Sequence, residues 1–291
     1  MYVGRFAPTP SGPLHFGSIV TAIGSYCDAK FNGGRWIIRI DDLDEERNVS
    51  GADRNILHTL ECLGLYWDDQ PIYQSQQKSY YEDWRDVLKK KYDIYPCSCS
   101  RKTLREHSVI KGGDWIYSGH CKTHFSKQKP IRNHRLNLRQ PCTMTINDIG
   151  QGPITEDLCV TSGDFVVFKA DGTPSYHLAS VLDDYRLGIS HVVRGRDLLR
   201  SSIRQAELQR VLGQLTPSFL HLPLVTNEKG QKLSKQNKAV PINLKVPQKV
   251  IINALKFLSQ NPPSELSSAS SEEILNWASE HWDRSVFQSK D

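Results

Sequence analysis

Short apolar runs alternate with segments of helical periodicity along the first third of the chain. Val3–Phe6 reads as a short buried strand, and His15–Lys30 carries Ile19, Ala22, Ile23 and Tyr26 on one face at helical spacing. Arg35–Ile40 is a second buried-looking strand, and Ala52–Leu63 repeats the helical signal through Ile56, Leu57, Leu60 and Leu63. A β-α-β order of this kind predicts parallel strands joined by a right-handed crossover. Sites in such sheets lie beyond the carboxyl ends of the strands, where Arg5–Ser11 and Asp41–Asp44 would sit.

Residues 94–150 interrupt the rhythm with cysteines, glycines and short polar stretches, and they read as an insertion. Strand and helix signals return at Asp164–Lys169, Tyr176–Tyr185, Ile189–Val193 and Leu198–Leu212. Beyond them, Lys249–Leu258 and Glu272–Trp282 are expected helices, joined by Pro262-Pro263 and a serine-rich linker. No internal repeat is visible.

Composition narrows the class without naming it. Hydrophobic residues make up 38% of the chain and charged residues 24%, an ordinary globular balance. No apolar run approaches membrane-spanning length, and no signal peptide is evident at the start, so no membrane partner is expected. Seven cysteines in 291 residues do not read as a disulfide framework, and a reducing cytoplasm is the better fit. The net charge of +5 suits contact with a polyanion. Residues 237–291 hold six Lys/Arg and six Asp/Glu, so that excess belongs to residues 1–236. Any grip on RNA is therefore expected from the main body.

Two separated motifs carry candidate chemistry. The first is Arg5-Phe6-Ala7-Pro8-Thr9-Pro10-Ser11-Gly12-Pro13-Leu14-His15-Phe16-Gly17-Ser18, a strand, a tight turn and the start of a helix. Free N–H groups at a helix N-terminus favour phosphate, and Gly17 would let a flat ring approach the backbone. His15 can donate to a phosphoryl oxygen. The second motif, Lys232-Leu233-Ser234-Lys235-Gln236, offers lysines that can neutralise departing pyrophosphate. Together they describe ATP cleaved between its α- and β-phosphates, which is adenylyl transfer.

In order and separation these motifs resemble the paired HIGH and KMSKS signatures of class I aminoacyl-tRNA synthetases, with Leu233 in place of methionine. Arg39-Ile40-Asp41-Asp42-Leu43-Asp44, Tyr176-His177-Leu178-Ala179, Val193-Arg194-Gly195-Arg196-Asp197 and His221-Leu222-Pro223-Leu224 resemble the glutamyl-tRNA synthetase catalytic domain over roughly residues 1–240. The resemblance implies a Rossmann-like α/β fold with a parallel sheet. Its expected segments are 1–93 (first half of the nucleotide-binding domain), 94–150 (an inserted zinc-containing subdomain), 151–240 (second half) and 241–291 (a short helical tail). It also implies ATP as substrate, with Mg2+ accompanying it, held by Ser11, His15, Gly17, Ser18, Lys232, Ser234 and Lys235. His15 and Lys235 would be catalytic.

L-glutamate carries two carboxylates, and Arg5 and Arg194 offer two guanidinium forks suited to them. Tyr176 adds a hydroxyl, and Asp41 an acceptor for the α-ammonium group. Family members usually have glutamate at the Asp41 position, so the reach is shorter here by one methylene. The same resemblance assigns Phe6, Ala7, Pro8 and Thr9 to the glutamate site.

Cys97, Cys99 and Cys121, set among turn formers, suggest a structural Zn2+ knuckle. Tyr117, His120 and His124 all lie close enough in sequence to be the fourth ligand, with histidine the default on chemistry. Similarity to the glutamyl-Q tRNA(Asp) synthetases, which use Cys-x-Cys and Tyr-x3-Cys, favours Tyr117. Cys27, Cys62, Cys142 and Cys159 read as packing cysteines. Asp183-Asp184 can bind magnesium, although an acidic pair at a helix end is ordinarily solvated. No Ser/His/Asp arrangement stands out as a hydrolase site.

Only 55 residues follow Gln236. That stretch is too short for the anticodon-reading domain of full-length glutamyl-tRNA synthetases, and the chain is expected to resemble a catalytic core alone. That architecture resembles the glutamyl-Q tRNA(Asp) synthetases, and the resemblance implies an enzyme, expected to be monomeric, that activates glutamate without tRNA and transfers it to queuosine in tRNA(Asp). The alternatives are a truncated synthetase that charges a tRNA 3′ end and a non-catalytic RNA-binding relative.

Overall fold

Strand β1 (Val3–Phe6) is buried along its whole length and pairs in parallel with β2 (Arg35–Ile40), from Val3 opposite Arg35 to Phe6 opposite Ile38. The crossover between them is helix α1 (Phe16–Phe31). Helix α2 (Ala52–Cys62) then leads to β3 (Ile72–Tyr73), which joins the far side of β2 in parallel, followed by α3 (Lys78–Lys91). This computed structural model describes residues 1–111, 114–226 and 242–288.

The expected insertion contains β4 (Ile94–Cys97), α4 (Arg101–His107), β5 (Ser108–Lys111), β6 (Asp114–Tyr117), α5 (His120–Thr123) and β7 (Asn133–Leu136). Strands β5 and β6 pair antiparallel. The main chain resumes with β8 (Thr143–Asp148), β9 (Gly152–Asp157), α6 (Leu158–Thr161), β10 (Val166–Lys169), α7 (Tyr176–Arg186), β11 (His191–Gly195), α8 (Leu199–Leu212) and β12 (Ser218–Leu222). Strand order in the second part of the main sheet is β11-β12-β8-β9, with the first three parallel and β9 antiparallel. Ser190, just before β11, donates its N–H to the Val3 carbonyl at 3.0 Å and so ties β11 to β1.

Strand pairing crosses the boundary expected at residue 150. Strand β8 lies before it yet belongs to the main sheet, and β10 lies after it yet pairs antiparallel with β7 in the sheet β10-β7-β4. Chain order is a local property, whereas a strand's partner is chosen by which apolar face it can bury. Val167 and Phe168 of β10 are buried in the same core as Leu136 and Leu178.

Helix α9 (Pro247–Phe257) and helix α10 (Ser271–Glu280) pack on α1. Their cover explains why α1 is buried on more than the one predicted face, at Val20, Cys27 and Ala29 as well as Ile19, Ala22 and Ile23. Buried Asp28 of α1 accepts from Tyr2, from the Trp282 indole at 2.9 Å and from Arg284 at 2.6 Å. Cys142 and Cys159, expected only to pack, form a disulfide between the start of β8 and α6. Among the described residues no helix is long and apolar enough to cross a membrane.

Candidate active site

A cavity of about 720 Å³ opens at the carboxyl ends of β1, β2, β11 and β12. The turn after β1 forms one wall with Phe6, Ala7, Pro8, Thr9 and Ser11. It is anchored to the neighbouring strand because the Pro8 carbonyl accepts the Asp41 N–H at 3.0 Å, and Gly12 makes the turn at φ 122°. The start of α1 contributes His15, Gly17 and Ser18. Arg5, Asp41, Tyr176 and Arg194 complete it, so the cavity brings together every predicted ATP or glutamate residue within the described part. Lys232, Ser234 and Lys235 lie outside the described residues.

His15 is the N-cap of α1, one position before the helix rather than in its first turn. Its Nδ1 accepts the Ser18 N–H at 3.3 Å, which satisfies one of the free donors at the helix start. The neutral ring therefore carries its proton on Nε2, which lies 3.2 Å from Ser18 Oγ. Gly17 serves this ring directly: a Cβ there would stand 3.2 Å from both His15 Cε1 and Nδ1.

At the cavity floor is a buried charge cluster, with Arg5, Arg39 and Asp41 lining the cavity. Arg39 donates to Asp41 through Nε at 2.7 Å and through Nη2 at 3.3 Å, and to Asp184 through Nη1 at 2.6 Å. Arg5 spends its Nε and Nη2 on Asp184, at 3.2 and 3.3 Å. The Gln74 amide and the Tyr81 hydroxyl both donate to Asp183 at 2.8 Å. Asp183 and Asp184 are thus buried partners of the site, not a solvated pair at a helix end. Burial opposes ionisation of all three aspartates, yet Arg5 and Arg39 pull Asp184 below the ordinary aspartate range. For Asp41 and Asp183 burial wins over the pull of Arg39, and both are pushed up. Arg5 thus has one edge of its guanidinium paired with Asp184, which leaves the second Nη2 hydrogen and both Nη1 hydrogens.

Arg194 is held differently. Its Nη2 donates to Ser202 Oγ at 2.5 Å and to Gln205 Oε1 at 2.7 Å, and its Nε faces His221 Nε2 at 3.4 Å. Nη1 is buried without a hydrogen-bond partner. Among the described residues no carboxylate pairs with this guanidinium, although the residue is only 4% exposed. Burial and the nearby charge of Arg5 hold its pKa below the usual arginine value. A buried cation in a cavity wall, feeling Asp184 and Asp197 only at a distance, suits an anion.

The cysteine cluster lies apart from the cavity. Cys99 and Cys121 sulfurs are 3.3 Å apart, and the Tyr117 hydroxyl lies 3.6 Å from the sulfurs of Cys97 and Cys99. His120 instead stacks between His107 and His124, with ring centroids 4.1 and 5.0 Å away. Burial raises the Cys121 thiol, but hydrogen bonding from Tyr117 and Cys99 outweighs it and brings the pKa to about 7.

Sequence reasoning assigned no role to Arg39, Asp148, Ser202 or His221. One signal was available: Arg39 and His221 each interrupt the apolar run that follows the polar first residue of a strand, Arg35–Ile40 and Ser218–Leu222. A polar residue there must find a buried partner.

The profile of the family described as tRNA synthetases class I (E and Q), catalytic domain, matches residues 2–283. The chain is 43% identical over 281 residues to the glutamyl-Q tRNA(Asp) synthetase of Aromatoleum aromaticum, covering 97% of this chain and 89% of that protein. It is 42% identical to the protein of the same name from Vibrio cholerae, over 97% of this chain and 90% of the relative. The crystal structure of a glutamate tRNA ligase from Elizabethkingia meningosepticum, in complex with its amino acid, superposes with a TM-score of 0.78 at 25% identity. That match covers 97% of this chain and 65% of the ligase, so the chain spans just under two thirds of that structure.

Proposed function

This chain belongs to the class I tRNA synthetases of the E and Q type, matching their catalytic domain over nearly its whole length, and on that basis we propose that it activates L-glutamate with ATP, without tRNA, and passes the glutamyl group to the queuosine base of tRNA(Asp). The observation that carries the amino-acid half is Arg194, a buried cation without a carboxylate partner among the described residues, on the wall of the cavity. The RNA half is supported by relatives that share the name glutamyl-Q tRNA(Asp) synthetase and match along almost their full length.

In this reading a substrate carboxylate takes the open side of Arg194, with the guanidinium hydrogens of Arg5 that Asp184 does not use. Tyr176 and Asp41 bound the pocket for the ammonium end. Asp41 already accepts twice from Arg39, so it offers the ammonium group only shared oxygens. A glutamate oxygen attacks the α-phosphorus of ATP and pyrophosphate leaves. The His15 Nε2–H donates to a phosphoryl oxygen, with the helix start and Lys232, Ser234 and Lys235 around the triphosphate. A cyclopentene hydroxyl of queuosine then attacks the glutamyl carbonyl and releases AMP.

The converging Cys97, Cys99 and Cys121 thiols with the Tyr117 hydroxyl fit a structural zinc ion chemically: three soft donors and one phenol oxygen on three short elements. When bound, zinc would cross-link the insertion and take no part in the reaction.

The test is glutamate-dependent ATP–pyrophosphate exchange without RNA, followed by transfer of labelled glutamate to tRNA from cells with and without queuosine. Exchange should occur, with transfer only to the queuosine-containing pool. Robust transfer to queuosine-free tRNA would mean instead that the protein charges a 3′ end.

A further inference from the structure

Arg194 is held by a hydrogen-bond chain that begins two strands away. Asp148, at the end of β8, accepts the N–H groups of Gly150 and Gln151 on Oδ1 at 3.0 and 2.8 Å. Its Oδ2 accepts the backbone N–H of His221 at 3.1 Å and lies 2.7 Å from His221 Nδ1. Every neighbour of this carboxylate is a donor, so His221 carries its proton on Nδ1 and leaves Nε2 as a lone pair. That lone pair lies 2.8 Å from Ser202 Oγ, and Ser202 Oγ in turn lies 2.5 Å from Arg194 Nη2. The shortest contacts share one polarity: Arg194 donates to Ser202, Ser202 donates to His221 at 2.8 Å in preference to the Leu198 carbonyl at 3.3 Å, and His221 donates to Asp148. Arg194 Nε reaches the same His221 lone pair at 3.4 Å. Burial lowers the His221 pKa despite Asp148, in keeping with a neutral ring.

We infer that Asp148, His221 and Ser202 are positioning residues for Arg194, and that Asp148 sets the His221 tautomer so that the guanidinium is oriented by acceptors that do not neutralise it. Arg5 and Arg39 show the contrast, since each is paired directly with aspartate. A carboxylate placed directly on Arg194 would compete with a substrate carboxylate. Two uncharged groups in between transmit polarisation while leaving the net charge available. The Ser–His–Asp order invites comparison with a nucleophilic triad, but Ser202 is fully buried and its oxygen already accepts from Arg194. It is not a nucleophile here.

This inference rests on the reading that Arg194 holds a glutamate carboxylate, and its test separates the two. The His221 tautomer is read first from long-range 1H–15N correlations of the wild-type protein without substrate, assigned by difference from His221→Gln. The Nδ1–H form is expected. A proton on Nε2, or a charged ring at neutral pH, overturns the relay whatever the substrate proves to be. Next, the glutamate KM in ATP–pyrophosphate exchange is compared between His221→Asn, which keeps a donor for Asp148 but loses the distal acceptor, and His221→Gln, which keeps that acceptor.

His221→Asn should raise the glutamate KM about tenfold or more with little change in kcat, because the lost interaction serves ground state and transition state alike. His221→Gln should stay within about threefold of wild type. Asp148→Asn should shift the tautomer to Nε2–H and raise KM in the wild-type background, yet add nothing in the His221→Gln background. Equal KM values in His221→Asn and His221→Gln overturn the inference, and this comparison stands even if Asp148→Asn fails to fold. Absence of glutamate-dependent exchange in the wild type counts against the functional reading, while the tautomer still decides the relay.

Discussion

Arg39 Nη1 lies 2.6 Å from Asp184 Oδ1, the same carboxylate oxygen that accepts from Arg5 Nε at 3.2 Å. One aspartate therefore aligns two arginines that both line the cavity. Breaking that carboxylate should be felt both in stability and in substrate affinity.

Asp184→Asn is expected to cost about 3–5 kcal/mol at neutral pH, because it leaves two buried guanidinium groups under-paired. Asp184 is held below the ordinary aspartate range in the fold. Its stabilisation is thus present above the unfolded value near ~3.9 and fades as pH falls through the lower folded value. Denaturant titrations of both proteins across this window should show the gap narrowing in acid. A gap that stays constant would show that the charge of Asp184 contributes nothing.

Gly17→Ala should slow glutamate activation several-fold while leaving the fold as stable or slightly more so. The new Cβ would press on the His15 ring at 3.2 Å and displace it by a few tenths of an ångström. Alanine in a helix is otherwise favoured over glycine by roughly 0.5–1 kcal/mol. Thermal unfolding measured beside the exchange rate separates the two effects, and an unchanged rate would remove His15 placement as the reason for glycine.

Zinc is expected to copurify at about one ion per chain. Tyr117→Phe should lower its occupancy, and a His120→Ala/His124→Ala double variant should not, because the hydroxyl touches the thiols and neither histidine belongs to the group of donor atoms lying within 4.8 Å of one another. Metal analysis of freshly purified protein decides this. Loss of zinc from the double variant would move the fourth ligand to histidine.

Lys235→Ala should depress pyrophosphate exchange far more than ATP binding, since its charge matters most as pyrophosphate departs. A nucleotide-binding titration beside the exchange assay would test the split. Equal losses in both would make Lys235 a binding residue only.

Much of the framework was legible along the chain. The apolar spacing of Ile56, Leu60 and Leu63 marks a helix, and Arg35–Ile40 forms the predicted strand. Periodicity is set by residues a few positions apart, so a linear reading can recover it. The positions drawn from the first motif also meet in one cavity, because the turn after β1 and the helix behind it are contiguous in sequence.

The partners of those residues were not legible. Arg5 and Asp184 are 179 positions apart, and His221 and Asp148 are 73 apart, yet each pair is buried and hydrogen-bonded. Nothing in the local pattern around Asp183-Asp184 distinguishes a solvated acidic pair from the floor of a charge cluster. Nor does anything around Cys142 and Cys159 single them out as a pair. The sequence by itself determined the strand–helix–strand start of the chain, several later elements such as Tyr176–Tyr185, and which residues of the first motif stand at the mouth of the sheet, but not α3, β8, β9 or β12. Only the tertiary structure decided which arginine is already neutralised and which keeps its charge, because packing the strands side by side selects the buried partner each polar group must find.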